Sequence, residues 1–194
     1  MEQTPPTNWA LVTGTCEDVT VPTEGNASCS FTNEYTPPQG SSYFEGNYYI
    51  VRPLPANTSW ADARQAAQVL GSGWDLATIT SQDEQNFIQT LLPNLNELTG
   101  IHEYWIGGEQ PSGSEEPGGN WRWVTDNSVF YNNGTTYGFA NWGSTLTGPA
   151  NEPNQSGIEN HVALDNRYGW GWNDLNGEGG TQGFVAKRAL PSDS

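Results

Sequence analysis

The sequence predicts an α+β fold with a mostly antiparallel sheet. Three observations predict it. The chain runs strand, helix, strand, helix, then several strands in succession. Its strands are short and rich in aromatic and β-branched residues. A long stretch of Gly, Asn, Thr, Ser and Pro from Tyr131 to Gly157 interrupts them, and loops of that length without secondary structure are uncommon unless functional or disordered.

The elements follow in order. Residues 1–45 are polar and rich in Thr, Ser, Pro and Gly, and read as an N-terminal extension. Within it, "EDVTVPT" and "SCSFTNEY" can form two short strands joined by "EGNA". "NYYIV" at 47–51 reads as a strand. "NTSWADARQAAQVLGSG" then reads as a helix, with Thr58 or Ser59 as its cap. Trp60, Ala63, Ala67 and Leu70 recur on one face, and Gly71 and Gly73 end it. "WDLATI" is a strand. "SQDEQNFIQTLLP" is a second helix, in which Ser81 and Glu84 form a capping box, Phe87, Ile88, Leu91 and Leu92 an apolar face, and Pro93 the stop. "YWIGG" at 104–108 is a buried strand, and "NWRWVT" at 120–125 places Trp121 and Trp123 on one face. "HVALD" at 161–165 and "GFVAKR" at 183–188 are the final strands, with "WND" at 172–174 between them.

Composition narrows the function. The chain has 194 residues, of which 34% are hydrophobic, so 9 Trp, 8 Tyr and 6 Phe carry much of the burial. With 22 acidic against 6 basic residues the net charge is -16, which argues against nucleic acid and anionic membrane surfaces as partners. No stretch approaches the roughly 18 apolar residues of a membrane span. The "EQTPPTN" after Met1 has neither the basic nor the apolar region of a secretion signal, so the chain reads as a mature domain or part of a longer secreted protein. A disulfide between Cys16 and Cys29 would close a short loop, contribute about 3 kcal/mol and imply an oxidising compartment. Two free thiols are the alternative.

"NEPNQSGIEN" at 151–160 concentrates Glu152, Asn154 and Glu159 in a chain with few charges, and Asn173 and Asp174 follow downstream. Calcium takes six to eight oxygen ligands from carboxylates and carbonyls. These five side chains plus one backbone carbonyl supply about six, leaving one or two positions for an external oxygen. In extended backbone, residues i and i+2 share a face, so Glu152 and Asn154 can face one ion. Without it, three carboxylates repel one another, so calcium is expected to order residues 143–160.

"SWADARQAAQVLGSGWDLATITSQDEQNFI", "YWIGG", "NWRWV", "NW" at 141–142, "EPN" and "WNDLN" resemble, in order and approximate spacing, a C-type lectin-like domain. The resemblance covers roughly residues 46–188. It implies the C-type lectin-like fold, with a carbohydrate-recognition domain over 46–190 and a long calcium-binding loop region. It implies one Ca²⁺ held by Glu152, Asn154, Glu159, Asn173 and Asp174, completed by two vicinal sugar hydroxyls. "EPN" implies mannose-, glucose- or fucose-type diols, where "QPD" marks the galactose group. The ligand-contact set becomes Glu152, Asn154, Glu159 and Asn173, with Tyr168 and Trp170 flanking the site, where they either stack on a sugar or pin the loop.

The family's usual cysteines are missing, their places held by Ala67, Ala186, His161 and Gly177, and in this the chain resembles bacterial members more than animal ones. The implied function is calcium-dependent binding of fucose- or mannose-containing glycans on other cells. The protein would be an extracellular or surface adhesin with further domains. The alternative is a lectin-like scaffold that binds protein, peptide or ice without sugar. Catalysis is not expected. The chain has 2 His, shows no Ser/His/Asp or Cys/His set, and its paired glutamates would be occupied by the metal.

Overall fold

The computed structural model describes residues 9–14, 31–55, 58–144, 151–154 and 158–190. The chain forms two compact units, Met1–Gln39 and Gly40–Ser194. In the first, β1 (Trp9–Gly14) pairs antiparallel with β2 (Phe31–Tyr35), Trp9 opposite Tyr35, with an irregularity between Leu11 and Thr13. The second expected strand is therefore present, but its partner lies further upstream than "EDVTVPT". Residues 17–23, Cys16 and Cys29 lie outside the described residues.

The second unit opens with a hairpin, β3 (Ser42–Phe44) and β4 (Asn47–Pro53), around Glu45 and Gly46 at φ 44° and 78°. The boundary thus falls before residue 40, so residues 40–45 belong to the second unit. Two helices follow, α1 (Trp60–Gln68) and α2 (Gln82–Leu91), separated by β5 (Trp74–Leu76). Ser59 caps α1, its hydroxyl accepting from the Asp62 amide at 3.1 Å. Ser81 caps α2 in the same way from Glu84. The reciprocal half of the expected capping box is absent, because the Glu84 carboxylate turns inward. It accepts from Thr80, Tyr49 and Lys187.

The remaining strands are β6 (Glu103–Glu109), β7 (Trp121–Trp123), β8 (Val129–Asn132), β9 (Thr135–Thr136), β10 (His161–Asp165), β11 (Gly171–Leu175) and β12 (Gly183–Ala189). They join in the order β3-β4-β12-β6-β7-β8-β9, with β5 on β12 and β10 bridging β6 and β11. All pairs are antiparallel except β12 with β6.

Alternation along these strands divides the core in two. Tyr49, Ile106, Val162, Leu164 and Val185 face one cluster, together with Ile88 of α2. Ile50, Trp105, Ala163, Phe184 and Ala186 face the other, together with Trp60, Ala63 and Ala67 of α1. Ala67 and Ala186, which the resemblance sets where cysteines are usual, are both fully buried in this second cluster. His161 and Gly177, at the other such pair, are also neighbours. A Cβ at Gly177 would lie 2.4 Å from His161 Nδ1, and the imidazole lies tilted against Trp60 with ring centroids 4.4 Å apart. A half-buried ring thus stands where the resemblance implies a covalent staple.

Candidate functional site

The site lies where β10 and β11 meet the end of the 131–160 stretch. Its base is anchored by main chain. Trp172 N donates to Asn141 O, Gly143 N to Trp172 O and Glu152 N to Gly143 O, at 2.8, 2.8 and 2.9 Å. Ser144 forms an isolated antiparallel bridge with Asn151. Glu152 is thereby carried back to β11, and the bond between it and Pro153 is cis. α2 holds β11 from the other side: Trp172 Nε1 donates to Gln85 Oε1, and Gln85 Nε2 donates to Trp170 O, both at 2.9 Å.

Three of the five expected metal ligands meet directly. Asn154 Nδ2 donates to Glu152 Oε2, and Asn154 N donates to both Asp174 carboxylate oxygens at 3.1 and 3.2 Å. Burial above all raises the Glu152 carboxyl, the Tyr168 hydroxyl opposes it and Asp174 and Glu159 add to it, so that together they leave it at about 7. Glu159, half-buried, is raised by burial and by the charge of Asp174. Glu152, Glu159 and Asp174 therefore lie within one another's field.

Asn173 is directed elsewhere. Strand pairing sets it beside Ala163 and sets Asp174 beside Val162, so consecutive side chains leave β11 on opposite faces. Its amide donates to Asp165 at 3.2 Å and to Glu103 at 3.5 Å. Trp170, expected to flank the site and either stack on a sugar or pin the loop, is 2% exposed and packs edge-on against Tyr104 at 5.7 Å. That burial makes it a core residue. Tyr168 remains at the site, where its hydroxyl donates to Glu152 Oε1. Burial and Glu152 together hold this phenol above its ordinary range.

A second polar cluster adjoins the first. Arg167 Nε lies 2.9 Å from Asp165 Oδ2, and its Nη2 lies 2.9 Å from Glu103 Oε1. Burial pushes Glu103 up to about 7, the charge of Asp165 adds to it, and Arg167 opposes. The sequence offered one clue to this group, the terminal Asp of "HVALD". Glu103 and Arg167 lie 64 residues apart, so only the fold joins them.

The donor set suits a hard cation: carboxylate and amide oxygens, with like charges gathered and partly buried. Among the described residues no three Asp, Glu, His or Cys side chains stand grouped to hold a metal by themselves, so amide and main-chain oxygens must complete any cage. No described helix is long and apolar enough to cross a membrane.

Two helices on a mostly antiparallel sheet, with an acid- and amide-rich loop returned to a Trp-Asn-Asp strand, define a lectin-type binding domain. Comparison with known proteins agrees. The family model for the lectin C-type domain matches residues 56–180, and the chain belongs to this family. The chain is 31% identical over 137 residues to "C-type lectin domain family 4 member M" of Nomascus concolor, covering 71% of this chain and 28% of that protein. It is 32% identical over 95 residues to lithostathine of Bos taurus, covering 48% and 51%. The chain thus spans about half or less of the length of these relatives. Among solved structures it resembles the cow CD23 carbohydrate-recognition domain in the presence of GlcNAc2Man3 oligosaccharide. That match has TM-score 0.57 and 25% identity, and covers 81% of this chain and 98% of that one. It has the fold of human lithostathine, with TM-score 0.58, 20% identity and coverage of 80% and 92%. The family is generally non-enzymatic.

Proposed function

We propose that this domain binds carbohydrate through calcium, taking the vicinal diol of fucose- or mannose-type sugars on the glycans of other cells. Glu152, Asn154, Glu159, Asn173 and Asp174 would hold the ion. Bound there, calcium supplies open coordination positions for two neighbouring hydroxyls. The chain's own groups set the rest of the recognition: Glu152 and Glu159 accept hydrogen bonds from the hydroxyls, and the Asn154 and Asn173 amides donate to their lone pairs. Asn173 must leave Asp165 and Glu103 to take part.

The observation that carries this reading is the meeting of Glu152, Asn154 and Asp174 from segments 20 residues apart. The oligosaccharide present with the cow CD23 domain supports the mannose assignment. We place the domain outside the cell, as one part of a larger adhesin with no catalytic role, and the four missing cysteines favour a bacterial source. A glycan array read with and without EDTA tests the proposal. Binding to fucosides or mannosides that EDTA abolishes is expected, and binding to neither rejects it.

A second reading has one observation in its favour: the described acidic groups do not form a metal cage unaided. On that reading the domain is a scaffold for protein, peptide or ice. Asn154→Asp separates the two, since a protein-binding surface tolerates it and a sugar–metal site does not.

A further inference from the structure

We infer that Tyr168 is a positioning residue for the calcium site, its hydroxyl fixing Glu152 while its ring is seated on Gly143. The inference rests on the calcium reading above and assigns the aromatic residue a role other than sugar contact.

The geometry comes from three directions. The Tyr168 hydroxyl donates to Glu152 Oε1, so the polar end of this side chain is already engaged by the protein. The ring lies on the Gly143 backbone, where an added Cβ would fall 2.4 Å from Tyr168 Cγ and 2.5 Å from Cδ2. Only glycine leaves room for it. The Arg167 guanidinium stands 5.7 Å from the ring centroid, itself held by Asp165 and Glu103. Gly143 also accepts from the Glu152 amide at 2.9 Å. One glycine therefore seats the ring and carries the main chain of Glu152, and the ring's hydroxyl fixes its side chain.

A carboxylate held at both ends gives up little freedom when it takes a metal. Residues that orient a metal ligand in this way typically change metal affinity by roughly 10–100-fold when lost.

The test uses Tyr168→Phe in the full chain, which removes the hydroxyl and keeps the ring. Calcium is titrated calorimetrically into chelator-treated protein, melting is followed in chelator, and mannoside affinity is measured at saturating calcium. The expected result is a calcium dissociation constant raised about tenfold, with metal-free melting temperature and calcium-saturated mannoside affinity unchanged. Gly143→Ala, which displaces the ring, should weaken calcium at least as much. Unchanged or tighter calcium binding in Tyr168→Phe overturns the inference. So does a fall in metal-free melting temperature, which would make the role structural, or a mannoside loss at saturating calcium, which would make Tyr168 a sugar contact. Wild-type protein that takes up no calcium overturns the calcium reading itself, a result distinct from the others.

Discussion

Glu152 has two unlike neighbourhoods: a phenol that favours its charge, and burial beside Asp174 and Glu159 that opposes it. The balance leaves its carboxyl titrating at about 7. Below that pH the group holds a proton that calcium must displace; above it the carboxylate is free. Calcium affinity should therefore weaken as pH falls from about 8 to 6, approaching tenfold per unit for one displaced proton. A calcium titration flat across that range would contradict it. His161 acts on stability instead. Burial lowers it from 6.5 to about 4, so its contribution is present above 6.5 and lost as pH falls from 6.5 to 4. Glu103 and Glu152 run oppositely, since raised carboxyls stabilise below 4.5 and lose that as pH rises to about 7. The difference between wild type and His161→Leu isolates the histidine, and the variant's denaturation midpoint should fall less between pH 6.5 and 4. At this scale Glu152, Asn154 and Asp174 were legible because extended-chain spacing and residue chemistry point one way. The orientation of Asn173 and the burial of Trp170 were not. The first depends on the register in which β11 pairs with β10, and the second on a backbone at φ 65° that no local pattern announces.

Lys187 on β12 and Glu84 on α2 form an ion pair at 2.6 Å, and Glu84 also accepts from Tyr49 at 2.7 Å. Replacing Lys187 with Met leaves a buried carboxylate without its cation. Breaking a buried pair this way costs about 3–5 kcal/mol, and urea denaturation should show a loss near the lower figure. A loss under about 1 kcal/mol would mean that Tyr49 and Thr80 suffice. Gly177, at φ 75° against His161, should also resist substitution, and Gly177→Ala should lower the melting temperature more than an exposed Gly134→Ala. Both helices and most strands of the second unit were readable, because apolar periodicity and caps are local. The inward turn of Glu84 was not, since its partners lie 35 and 103 residues away. The same limit explains β1: a strand's partner can lie well away from it in sequence, and composition alone favoured the nearer "EDVTVPT".

Across the whole molecule, 22 acidic residues face 6 basic ones, and Arg64, Arg167 and Lys187 are already committed to internal pairs. The excess negative charge suits a divalent cation and repels polyanions. The second unit carries its own sheet, both helices and every proposed calcium ligand, so residues 40–194 should fold and retain sugar binding without the first unit. Loss of the folded circular-dichroism signature on that truncation would contradict this. A single site of this kind gains from repetition, so multivalent display should raise apparent affinity well above that of the isolated domain. The most direct test of the account is calorimetric titration of calcium into the chelator-treated full chain, followed by a mannoside or fucoside. Saturable uptake of the metal is expected, with sugar binding only after it. No heat of calcium binding at millimolar concentration, or sugar binding indifferent to EDTA, would contradict it.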